Sequence, residues 1–196
     1  MDKPIPPQLE LEQAKLAARE MHQANSLVQF EQAWKRYLHH LERTWYKANT
    51  YFGADPDWRT RKSHIEQQRN RDPLLRYLIA ARGADEHSID EITDRKPGYV
   101  AINPVEPGGT LRIDRLEINN SKMHIHSRHP FKLESRLPHL VLLPIPSRGK
   151  VVIVPTTHLG FPIDQNDILG IAQQGINFYE TILNEALVKQ EGQNNV

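Results

Sequence analysis

Asp72-Pro73-Leu74-Leu75-Arg76-Tyr77-Leu78-Ile79-Ala80-Ala81-Arg82-Gly83-Ala84-Asp85-Glu86-His87 is the stretch whose reading decides the fold. An aspartate followed by a proline is a clear helix start. The carboxylate accepts hydrogen bonds from the first free backbone amides, and proline occupies a position where no amide donor is needed. Leu74, Leu75, Leu78, Ile79 and Ala81 then form an apolar stripe along one side. Arg82 follows Leu78 and Ile79 at the spacing where another apolar residue would have continued that stripe. A charge in that place needs a partner or a purpose, so the stretch is predicted to be a helix that carries a site.

Upstream, Asp55-Pro56 repeats the same device and predicts a helix from about Pro56 toward Arg69, anchored by Trp58 and Ile65 and otherwise polar. Before it, Phe30, Ala33, Trp34, Tyr37, Leu38, Leu41, Trp45, Ala48 and Phe52 recur at helical spacing, and Gly53 is a natural stop. These aromatics read as core, since a nucleic-acid stacking platform would need them exposed. An earlier helix begins near Gln8, with Leu11, Ala14, Ala18 and Met21 on one face, and Asn25 or Ser26 ends it or caps its successor. Arg59, Arg61, Lys62, Arg69 and Arg71, followed by Arg76 and Arg82, face fewer acids (Asp57, Glu66, Asp72). They read as a solvated helix face or, through Arg69, Arg71 and Arg76, as a rim that guides the phosphates of RNA.

Downstream, the central helix is expected to continue through Ile89 and Ile92 until Pro97-Gly98 stops it. From Tyr99 the pattern turns to period two. Leu111 to Ile118 reads as a strand with an irregularity near Asp114-Arg115, Asn119-Asn120 as a hairpin turn, and Ser121 to His126 as the returning strand. In that register Glu117 faces Lys122 and Leu116 faces Met123. A second hairpin is expected from Leu137 to Pro146, a turn at Ser147-Arg148-Gly149, and Lys150 to Pro155. Its continuous apolar residues (Val141 to Leu143, Val151 to Val154) predict cover on both faces. Gln165 to about Lys189 closes the chain as a helix with a broad apolar face through Ile168, Ile171, Ile176, Tyr179, Leu183 and Leu187. Gly108-Gly109 follows Pro107 in a turn and is not a phosphate-binding loop.

Length and composition bound the rest. At 196 residues the chain suits one compact unit, expected as a helical bundle over 1–96 with a β-hairpin layer and closing helix over 97–196. A net charge of +1 gives no global attraction to nucleic acid, so any RNA site must come from local clustering. The absence of cysteine excludes disulfides and thiolate metal sites and fits a reducing compartment. No apolar run reaches membrane-spanning length and the first residues lack the apolar centre of a secretory signal, so a cytoplasmic location without membrane association is expected.

Arg82-Gly83-Ala84-Asp85-Glu86-His87 on such a helix resembles the R-x4-6-H signature of the HEPN superfamily, helical-bundle proteins many of which are metal-independent ribonucleases. Gly83 departs from the polar residue that commonly follows the family's arginine. The resemblance implies an endoribonuclease without cofactor or metal, acting as a homodimer in a toxin or defence setting, in which the ribose 2′-hydroxyl attacks its adjacent phosphate. His87 would then move the proton, Arg82 would grip the phosphate, and Asp85 or Glu86 would orient either of them. The two ends of the motif lie about 140° apart on a regular helix, so a break at Gly83 or a second copy must bring them together. The alternative is a non-catalytic HEPN-like module that binds nucleotide, RNA or protein, with Arg82 and Glu86 as an ordinary helical ion pair.

A second cluster is His124-Ile125-His126, with His129, His139 and His158 in the same half. Alternation places His124 and His126 on one strand face, the geometry for two imidazoles on one metal ion, as in the His-x-His of cupins. No Glu follows at the cupin spacing, where Pro130 stands, so surface histidines beside Arg128 are the preferred reading and no metal is assigned. The expected fold is therefore α+β: a four-helix, HEPN-like bundle, then two antiparallel hairpins and a C-terminal helix.

Overall fold

A computed structural model describes residues 5–87, 91–120, 122–147 and 149–194, with the backbone alone for 87 and 189–194. The order is α1 (Pro7–Gln23), α2 (Leu27–Tyr51), α3 (Pro56–Arg71) and α4 (Pro73–His87), then the β-strands β1 (Thr93–Lys96) through β10 (Phe161–Pro162), and α5 (Ile168–Asn194). Four helices, a set of antiparallel strand pairs and a closing helix give the expected α+β class.

The capping chemistry accounts for the helix starts. Ser26 accepts from Gln29 N, Asp55 from Asp57 N and Asp72 from Leu75 N, so each carboxylate or hydroxyl satisfies an amide that the helix leaves free. Helices α1 and α2 run antiparallel: Glu10 reaches His40 and Arg43, while Glu20 reaches Arg36. The core collects Leu11, Ala14 and Met21 of α1, Trp34, Tyr37, Leu38, Leu41 and Trp45 of α2, and Leu74, Leu75, Tyr77 and Leu78 of α4. Helix α5 joins this core through Ile171, Ala172, Ile176, Tyr179 and Leu183. Its approach depends on Gly175, where a Cβ would lie 2.3 Å from Tyr37 Oη and 2.9 Å from Leu78 Cδ1. The Tyr37 hydroxyl donates to Ala172 O at 2.9 Å across the same contact.

By contacts the chain divides into two compact units, residues 1–94 with 140–196, and residues 95–139. The closing helix is thus grouped with the bundle. The second unit holds two antiparallel pairs. In one, β2 (Tyr99–Pro104) runs against β5 (Phe131–Arg136), with Ile102 opposite Leu133. In the other, β3 (Ile113–Asn119) runs against β4 (Lys122–Ser127).

Several expectations are corrected. Helix α4 does not continue through Ile92: Thr93–Lys96 is a strand paired with β6 (His139–Leu142), and β-branched Ile92 and Thr93 suit that extended backbone. Ile89 lies outside the described residues. In the β3–β4 hairpin the irregularity falls between Ile113 and Arg115 as expected, but Glu117 faces His124 and Leu116 faces Ile125. Asn120, at φ 48°, is the residue that turns the chain, and Asn119 pairs with Lys122 instead of lying in the turn. The shift is two residues, so each side chain keeps its face. The second expected hairpin is shorter, β7 (Ile145–Ser147) against β8 (Lys150–Val152), and it is not covered on both faces. Leu140, Leu142 and Ile145 are buried, while Val151 and Ile153 are exposed.

Arg69 is corrected as well. It lies inside the bundle, where its Nη2 pairs with Glu42 Oε2 at 2.5 Å and its Nε donates to Tyr179 Oη at 2.8 Å. Its guanidinium sits 4.5 Å from the centre of the Trp45 ring. Burial alone would lower its basicity, but Tyr179 and Glu42 together hold it above its ordinary value. Arg71 and Arg76 remain on the surface.

Candidate functional site

The two ends of α4 carry the charged groups of interest. At its start, Asp72 closes α3 and opens α4, and both of its oxygens are engaged. Oδ1 accepts from Leu75 N at 3.0 Å and lies 2.9 Å from His158 Nδ1, while Oδ2 accepts from Leu159 N at 2.6 Å. Asp72 and His158 are 7% and 6% exposed, so this is a buried pair and not a surface contact. A carboxylate offers only acceptors, which assigns the proton of the neutral ring to Nδ1 and leaves a lone pair on Nε2.

The backbone beyond His158 is held in an uncommon conformation. Strand β9 (Thr157–His158) returns as β10 (Phe161–Pro162) through Leu159 and Gly160, at φ 49° and 85°. Two successive left-handed residues make the tight hairpin turn that glycine and asparagine favour, and a leucine there costs about 1–2 kcal/mol. The Leu159 N–H bond to Asp72 offsets that cost. One carboxylate therefore caps a helix, orients a ring and holds a strained turn.

His158 forms part of the wall of a cleft of about 780 Å³. Helix α3 contributes Thr60, Arg61, His64 and Gln68, helix α5 contributes Asn177, Phe178 and Glu185, and the β9–β10 turn adds Leu159 and Phe161. The volume falls in the range of small-molecule sites, and the mixture of apolar wall with a few amides and imidazoles is that of a ligand pocket. Phe178 meets the His158 ring edge-on, with centroids 6.2 Å apart. Arg61 Nη2 and Glu185 Oε2 pair at 2.9 Å between α3 and α5. An adjoining hollow is lined by His64, Gln68, Arg71 and Leu159. No carboxylate among the described residues pairs with Arg71.

At the other end of α4, Arg82 Nη2 pairs with Glu86 Oε2 at 2.6 Å, and Glu86 Oε1 lies 3.2 Å from His39 Nδ1. Asp85 pairs with Lys35 at 3.0 Å; that hydrogen bond raises the lysine above its ordinary value against the opposing effect of burial. Arg82 Nε is buried and has no hydrogen-bond partner among the described residues. The helix runs unbroken through Gly83, so the expected break that would swing Arg82 toward His87 is not seen. A Cβ at Gly83 would meet nothing within 4 Å, so packing does not require glycine there. The His87 side chain lies outside the described residues. Arg82, Asp85 and Glu86 do not line the cleft at the other end of the helix.

Sequence reasoning found Asp72 as a cap and counted His158 among the histidines of the second half, but it missed His64, Gln68 and Asn177. Nothing local marks them: an isolated histidine or amide on a polar helix has no periodic signature. His124 and His126 share the outward face of β4 as expected, and no group of three or more metal-binding side chains occurs among the described residues. Among these residues no helix is long and apolar enough to cross a membrane. Comparison with protein-family models, with curated proteins and with solved structures finds no match to this chain.

Proposed function

We propose that the chain is a nucleotide-binding module on a HEPN-like helical bundle, with the cleft between α3, α5 and the β9–β10 turn as its binding site. The observation that carries this reading is which polar side chains line a cleft. Arg82 is held by Glu86, whereas His64, Gln68, the oriented His158 and Asn177, whose Oδ1 accepts from Gln173 Nε2 at 2.8 Å, line a cleft of about 780 Å³. Amides and an imidazole lone pair suit the hydrogen-bonding edge of a base, Phe161 and Phe178 offer apolar surface for its faces, and Arg71 in the adjoining hollow suits a phosphate. Titration calorimetry with nucleoside monophosphates tests it. Binding that weakens about tenfold in Asn177→Ala and in Gln68→Ala supports the reading, each change amounting to about 1.4 kcal/mol. Absence of binding to any nucleotide or short RNA contradicts it.

A second reading, the endoribonuclease implied by the R-x4-6-H resemblance, is favoured by one observation: the buried, unpartnered Nε of Arg82. That donor would suit a phosphate oxygen once Glu86 turned away, and a second copy of the chain would be needed to gather two motifs around one groove. Cleavage of RNA that resists EDTA and is lost in both Arg82→Ala and His87→Ala would support it. Cleavage that survives both substitutions, or no cleavage by the unaltered chain, would remove it.

A further inference from the structure

We propose that the cleft is also catalytic: His158, held by Asp72, and His64 act as proton acceptor and proton donor in the hydrolysis of a nucleoside 2′,3′-cyclic phosphate. This rests on the nucleotide-binding reading and adds chemistry to it. Three observations lead there.

The first is the His158–Asp72 pair. A buried carboxylate that fixes an imidazole through Nδ1 leaves Nε2 as the ring's remaining basic atom, and the ring forms part of the cleft wall. This is how proteins aim a general base. Among the described residues no hydroxyl bonds to the ring, so the group it deprotonates comes from outside the protein: a water molecule or the ligand. The second is His64, an exposed imidazole on α3 that lines both the cleft and the adjoining hollow. Two imidazoles in one site can divide the roles of base and acid near neutral pH. The third is charge. The two carboxylates in these walls are engaged, Glu185 by Arg61 and Asp72 by its three donors, while Arg71 is not paired with an acid among the described residues. Arg61 and Arg71 balance the two carboxylates, so the protonated His64 that the reaction uses tips these walls toward an anionic ligand, with Arg71 as the guanidinium that has no acid partner among the described residues.

The magnitude of proton-transfer catalysis selects the substrate. General acid and base groups contribute about 10²–10⁴-fold, which suits a phosphodiester already activated by ring strain better than an inert linear one. In the step, neutral His158 takes a proton from water at Nε2 as the water oxygen forms a bond to phosphorus. One endocyclic P–O bond breaks, and protonated His64 delivers its proton to the departing ribose oxygen. One water is consumed and a nucleoside 2′- or 3′-monophosphate is released; proton exchange with solvent restores both rings. Asp72 is a positioning residue in this scheme.

The test incubates the full chain with nucleoside 2′,3′-cyclic monophosphates, and separately with the 3′,5′-cyclic isomers, and follows monophosphate by phosphorus NMR. Expected are turnover of the 2′,3′ isomers with a bell-shaped pH profile and a fall of at least about 100-fold in His158→Gln and in His64→Ala. His64 is exposed, so its variant is expected to fold normally even if the His158 variant does not. With rates normalised to the folded fraction, Asp72→Asn is expected to lower kcat and to move the limb of the pH profile that reports the general base, a shift that loss of folded protein alone would not produce. Binding of a nucleoside monophosphate without hydrolysis of the cyclic form would overturn the catalytic proposal and leave the binding reading standing. Hydrolysis that survives both histidine substitutions, or that is equal for both isomers, would also overturn it. Absence of both binding and hydrolysis would overturn the two together.

Discussion

The two ends of α4 present the same chemical elements, a carboxylate beside a basic side chain, and arrange them to opposite effect. At the carboxyl end, Glu86 lies between Arg82 and His39 on a partly exposed face, and Asp85 pairs with Lys35. Charge there is cancelled pairwise, and Arg82, Asp85 and Glu86 do not line the cleft found at the other end. At the amino end a single buried carboxylate engages a ring nitrogen and two backbone amides, and His158 is among the residues that line a cleft. A motif read as letters favours the first end, while the geometry of hydrogen-bond satisfaction favours the second. The same comparison shows that a charged residue off an apolar stripe can be absorbed by its neighbour four positions on, whereas a capping residue can carry a longer-range duty.

The difference is open to test by substitution. Asp72→Ala removes a helix cap, abandons a buried imidazole and frees a strained turn, so a loss of about 3 kcal/mol or more is expected in denaturant unfolding. A loss below about 1 kcal/mol would show that the buried pair is incidental. Arg69→Ala should cost a similar amount, about 3 kcal/mol, because Glu42 would be left buried without its partner. Leu159→Gly should stabilise the chain, by up to about 1 kcal/mol, since glycine adopts the left-handed conformation freely. Arg82→Ala should cost only about 0.5 kcal/mol, the value of a helical pair at four-residue spacing. A loss as large as that of Asp72→Ala would erase the contrast between the two ends.

A smaller effect concerns pH. Burial would raise the Glu10 carboxyl, but its bonds to His40 and Arg43 outweigh burial and hold it below its ordinary value of 4.5. The folded-state value is depressed, so this stabilisation is present above about pH 4.5 and is lost as pH falls through the folded-state value. Glu10→Gln should therefore flatten part of the acid limb of the stability profile and leave the alkaline side unchanged.

The local parts of this structure could be read directly. Asp55-Pro56 and Asp72-Pro73 announced two helix starts, the Trp34 to Phe52 periodicity marked the core of α2, and Asp114-Arg115 marked the bulge in the β3–β4 hairpin. The parts that escaped reading are those decided by distant partners. Strand β2 finds β5 only after the intervening β3–β4 hairpin has been looped out, and no turn signal connects them. Arg69 looked like a surface cation because its helix is polar; only Glu42 and Tyr179, on other helices, explain its burial. Asp72 was legible as a cap through one oxygen, but its bonds to His158 and Leu159 span more than eighty residues of chain. The site escaped for the same reason, since α3, α5 and the β9–β10 turn meet only in the folded state.

The most direct measurement is calorimetric titration of a nucleoside 3′-monophosphate into Asn177→Ala and Arg82→Ala side by side. The account predicts that the cleft substitution weakens binding about tenfold and that the Arg82 substitution leaves it unchanged. Binding abolished by Arg82→Ala and indifferent to Asn177→Ala would contradict it and return the functional site to the carboxyl end of α4.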